Sequence, residues 1–148
     1  MRRAEDSVPW IAARVFLVFV GALAGPGFAR AYTESASLFG LLGRFLVFFL
    51  LGAILVLILS LSLAAGRRSG AGWQRPSWRV RPFFGEPLQF AHAAAWYAIG
   101  AGVSAALIAL VRPECGLQGA TMVGGVGAGM LAATHIVVFA FPRHFVER

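Results

Sequence analysis

Lysine and asparagine are absent from this 148-residue chain, Asp6 is the only aspartate, and Cys115 is the only cysteine. A lone thiol excludes an intrachain disulfide, a thiol pair and a multi-cysteine metal site. Charge is scarce: 13% of residues are charged, against roughly 25% in an ordinary soluble domain. Carboxylates are missing from the interior of every long apolar run; Glu34 and Glu114 lie between runs, and Glu86 lies at the edge of one. A proton-driven exporter exchanges protons for substrate on a membrane-embedded acid, and these runs offer none. The same gap removes a carboxylate dyad, and no Ser–His or Cys–His arrangement at matched depth replaces it. The sequence points away from an enzyme.

What is present is apolar surface, 59% of residues, with a mean hydropathy of +0.76. A soluble protein of this composition could not cover its own exterior with polar groups. Four runs stand out, from about Trp10 to Ala31, Leu38 to Ala65, Pro87 to Val111 and Gly116 to Phe141. Each is long enough for the ~20 residues that cross ~30 Å of hydrocarbon. Backbone groups in lipid must be bonded within their own element, so the runs predict helices. The expected fold class is an all-α integral membrane protein, one domain over 1–148, with four transmembrane helices in two antiparallel hairpins. The first run is the weakest, because Arg14 interrupts it and Pro26 sits between two glycines. With Arg2, Arg3 and Ala22-Leu23-Ala24 it also resembles a signal peptide. Glu5 and Asp6 dilute that pattern and the apolar character continues past Ala24, so a retained helix is the expectation.

All thirteen basic residues other than histidine are arginine, and the net charge is +7. A basic chain suggests nucleic acid only when its charge covers a wet surface; here arginine lies between uncharged runs, and no nucleic-acid partner is expected. Four spans put Arg2, Arg3, Arg14, Arg67, Arg68, Arg75, Arg79, Arg81, Arg143 and Arg148 on one side and leave Arg30, Arg44 and Arg112 for the other. Ten against three is a positive-inside bias. It predicts cytoplasmic termini, a cytoplasmic central loop over 66–86, and residence in a bacterial inner membrane.

The runs differ in surface chemistry. The second is Leu, Phe, Ile and Val on nearly every side, with Gly52 its only small residue between Gly43 and Ser60 other than Ala53, which suits lipid. The third carries a row of small residues at Ala94, Ala98, Gly102 and Ala106. The fourth carries two rows, Ala120, Gly124, Ala128 and Ala132 beside Thr121, Gly125, Gly129 and Ala133. Such rows let backbones approach closely, which is how helices associate in lipid. The third and fourth runs are therefore expected to form a tight hairpin. Both rows of the fourth can be used inside one molecule; the sharper expectation gives one of them to another copy or another subunit. The GGVGAG stretch, Gly124 to Gly129, lacks the Lys-Ser/Thr end and preceding strand of a phosphate loop.

Three features could carry chemistry. His92 and His135 sit at matched depth near the cytoplasmic ends of the third and fourth runs, a pattern that suggests axial ligands of a b-type haem, or a quinone pocket. On a helical wheel, however, His92 shares a face with Trp96, Ile99 and Val103, away from the small-residue row, so the two imidazoles are expected to diverge. Arg30, Glu34 and Arg44 cluster at the outer end of the first two runs, as an interfacial ion pair or an anion site. The central loop interleaves Arg67, Arg68, Arg75, Arg79 and Arg81 with Trp73, Trp78, Phe83 and Phe84, and Pro76 and Pro82 oppose a helix there. That mixture suits anionic lipid headgroups or a docking partner better than stacked bases. The function this favours is non-catalytic: an accessory, scaffold or assembly subunit of a larger membrane complex, or a homo-oligomer. A redox subunit binding haem or quinone through His92 and His135, and a small transporter or channel component lined by the glycine-rich fourth run, are the alternatives.

Overall fold

The computed structural model describes residues 7–31, 37–68, 87–112 and 114–140. They form four helices, α1 (Ser7–Arg30), α2 (Leu38–Arg68), α3 (Pro87–Val111) and α4 (Gln118–Ala140). All four are long and apolar enough to cross a membrane.

Local chemistry sets their ends. Ser37 caps α2, its Oγ accepting the Gly40 amide at 3.2 Å and so satisfying one of the first-turn donors. Pro87 stands at the first position of α3, where a missing N–H costs nothing. Pro113 follows Arg112 and disfavours helix there, and α3 stops at Val111. The chain then turns, with the Cys115 amide donating to the Arg112 carbonyl at 3.0 Å. Helix α1 runs through Pro26, which deprives the Ala22 carbonyl of its usual donor. Hydroxyls inside the helices bond their own backbone: Ser60 to Val56 at 2.7 Å and Thr134 to Met130 at 2.7 Å.

The order in space is α1, α3, α4, α2. Helix α1 packs along α3, α3 along α4, and α4 along α2, whereas α1 and α2 do not touch among the described residues. Only the second of the two expected hairpins is therefore a packed pair. The reason lies in where backbones can meet. Gly21 abuts the Tyr97 backbone and Gly25 abuts Ser104, while Gly100 receives the Val18 carbonyl, so α1 runs parallel to α3. Gly125 and Gly129 abut the Phe45 and Phe49 carbonyls, and Gly52 abuts that of Val126, so α2 runs parallel to α4. Small residues on α3 and α4 offer α1 and α2 closer approach than the two could offer each other.

The antiparallel α3–α4 seam forms the centre. A methyl on Gly102 would stand 2.8 Å from the Gly124 Cα, and one on Gly127 would stand 2.9 Å from the Ala95 carbonyl and 3.0 Å from the Ala98 Cβ. One buried cluster, Val56, Leu88, Ala91, Ala95, Met130, Ala133 and Val137, joins α2 to this pair at the end where α3 begins. A second, Ala29, Ala105, Cys115 and Ala120, joins α1 to it at the opposite end. The second small-residue row of α4, which could have served another copy, is covered by α2 of the same chain. Ala94 packs against the first cluster, and Ala128 is half-buried.

Candidate functional site: a polar strip across three helices

Polar side chains are few within these helices, and four of them converge at the end where α1 and α3 begin and α4 finishes. The indole N–H of Trp96 donates to His92 Nε2 at 3.0 Å, one turn apart on α3. The guanidinium carbon of Arg14, from α1, lies 5.7 Å from the centre of the Trp96 ring, within cation–π range. On the other side the His92 and His135 ring centres are 5.6 Å apart, tilted by 51°. His135 Nδ1 lies 2.8 Å from the Leu131 carbonyl; a carbonyl only accepts, so Nδ1 donates. The strip thus runs Arg14, Trp96, His92, His135, from α1 across α3 to α4. His92 is buried, Arg14 and Trp96 are half-buried, and His135 is exposed.

The expected divergence of the two histidines is overturned. That reading centred the α3 seam on the row Ala94, Ala98, Gly102. The seam instead takes in Ala95 and Ile99, which face Gly127. Each successive residue is turned by about 100°, so including these two swings the seam toward the His92 side and brings the imidazole to the edge of α4.

Proximity does not make the pair a ready axial-ligand set. His92 Nε2 accepts the Trp96 proton, which places the ring's own proton on Nδ1. His135, held through Nδ1–H, keeps the Nε2 lone pair. Among the described residues no three His, Cys, Asp or Glu side chains group as a metal site.

A second polar contact ties the far end. The Arg44 guanidinium of α2 donates to the side-chain carbonyl of Gln118, which is buried at the start of α4. Arg44 was expected beside Arg30 and Glu34. It turns to α4 because α2 packs there and not on α1; Glu34 lies outside the described residues, and Arg30 is exposed. Gln118 went unnoticed in the sequence. Its signal was there to find, an uncharged polar side chain entering α4 at the level where Arg44 enters α2.

Of the basic-aromatic set, Arg67 and Arg68 end α2, while Trp73, Arg75, Trp78, Arg79 and Arg81 lie outside the described residues. Set against protein-family models, curated proteins and solved structures, the chain matches none of them.

Proposed function

We propose that the chain is a non-catalytic membrane subunit, an accessory, scaffold or assembly component of a larger complex or a homo-oligomer. Its termini and the 66–86 segment face the cytoplasm of a bacterial inner membrane, where that segment meets anionic lipid or a partner. The observation that carries this reading is how the helices use their surfaces. The glycine contacts of α4 are internal, to α1, α2 and α3, while α1 and α2 present large apolar side chains outward, Phe16, Phe19 and Leu23 on one and Leu50, Ile54 and Leu61 on the other. What such a bundle offers is contact surface at its two flanks and arginine at one end. The asymmetry of ten arginines to three supports the orientation. Because the α4 glycines meet helix backbone, a channel lined by them is not carried forward.

The approach of His92 to His135 favours a second reading, a redox subunit holding b-type haem or quinone there. One preparation tests both. Gentle detergent extraction of the chain at native level should recover defined partners or a defined oligomer. A strictly monomeric protein that brings down nothing overturns the subunit reading. A Soret band that His135→Ala abolishes would establish the second reading, and a colourless, quinone-free preparation would end it.

A further inference from the structure

The stretch Ala22-Leu23-Ala24, which resembles the small-residue cleavage motif of a signal peptide, lies inside α1. The apolar run from Val15, and Arg2 and Arg3 before it, supply the other two parts of such a signal. Just beyond the Ala24–Gly25 bond stand Pro26 and Gly27, and proline and glycine are the poorest helix formers. Pro26 also leaves the Ala22 carbonyl without its usual donor. Local propensity thus favours an unwound chain at this bond, yet α1 is continuous through it to Arg30.

Tertiary contact holds the helix there. Gly21, Gly25 and Ala29 recur every four residues and so share one face of α1. Gly21 abuts the Tyr97 backbone, and a methyl on Gly25 would stand 2.9 Å from the Ala105 amide nitrogen. Ala29 is fully buried with Ala105, Cys115 and Ala120, and Gly119 of α4 abuts the Phe28 carbonyl. The bond is therefore bracketed, by α3 before it and by α3 and α4 after it. Gly25 itself is buried, and Ala22 and Ala24 are half-buried. A bond inside a packed helix is cut only from the fraction of molecules in which it has opened.

We infer that Ala24–Gly25 is a latent signal-peptidase site, kept closed by the docking of α1 on α3 and α4. Cleavage adds one water across that peptide bond, leaving a carboxylate on Ala24, an amine on Gly25 and a chain of residues 25–148. Packing of α1 thus decides whether the molecule keeps four helices or three. The inference rests on the cytoplasmic N-terminus proposed above, which puts Arg30, about 8 Å along the helix from Gly25, at the outer surface where signal peptidase works. It does not depend on the subunit role, so a failed search for partners leaves it standing.

The test expresses the full chain in bacteria and reads intact mass and N-terminal sequence from the membranes. The wild type should retain α1 in all but a small fraction of molecules. Gly100→Leu drives a side chain into the Val18 backbone, and Ser104→Leu presses on Gly25. Each should raise the fraction that begins at Gly25 by about tenfold. Adding Ala24→Leu, which removes the small residue before the bond, should abolish that product. Orientation is read separately, by labelling Arg30→Cys in a Cys115→Ala background with a membrane-impermeant maleimide in intact cells. Wild-type chains that begin mostly at Gly25 overturn the inference, and so does a product that survives Ala24→Leu. If the label finds Arg30→Cys outside and both α3 variants stay uncut, the inference also fails. Absence of label overturns the orientation, and the inference with it. If Gly100→Leu is not recovered, Ser104→Leu decides alone.

Discussion

Gln118 is 3% exposed, and Arg44 donates to its carbonyl from a different helix. A hydrogen bond from a charged donor contributes about 1.5–3 kcal/mol net. Arg44→Ala should therefore lower the stability of the purified protein by about that amount in chemical unfolding, and Arg30→Ala, on an exposed side chain, should stay within about 0.5 kcal/mol. Equal effects would show that the contact contributes nothing. At this scale the sequence was half legible. Histidines inside apolar runs nominate themselves, because an imidazole in lipid needs a partner. Which partner depends on helix rotation, and a shift of one seam residue sufficed to turn His92 toward His135. Arg44 failed for a different reason, its neighbour having been taken from chain order.

Among elements, the contrast lies between glycines that touch backbone and glycines that touch nothing. A methyl at Gly129 would fall on the Phe49 carbonyl of α2, whereas one at Gly27 finds open space within 4 Å. Overpacking against backbone that cannot yield costs about 1–3 kcal/mol, and an unobstructed Gly→Ala in a helix gains up to about 1 kcal/mol. Gly129→Ala should destabilise and Gly27→Ala should be neutral or stabilising, read as shifts of the unfolding midpoint in detergent. The same sign at both positions would break the link between these contacts and stability. The small-residue rows were visible in the sequence because their four-residue spacing needs no tertiary information. Which helix each row meets was not visible. A row specifies that a backbone approaches, and Gly125 and Gly129 accept one whose own surface is almost all Phe and Leu.

For the whole molecule, four helices follow from length and hydropathy alone, since unbroken apolar runs of ~20 residues satisfy their backbone in hydrocarbon as helices. Their arrangement does not follow, because short connections imply neighbours only where the facing surfaces can close together. Helices α1 and α2 are consecutive and do not meet among the described residues; each is held by a later helix, α1 by α3 and α2 by α4. Chains are made from the N-terminus, so this non-local pairing fixes an order of events. The first two helices should be made before either has the neighbour that holds it in the folded chain. They acquire neighbours only when α3 and α4 arrive, and α4, needed by both α2 and α3, comes last. A cysteine pair introduced by Gly52→Cys and Val126→Cys should crosslink only once the nascent chain has released all of α4, whereas early crosslinking between α1 and α2 would contradict this order. On that order the half of the protein made first waits on the half made last for its packing partners.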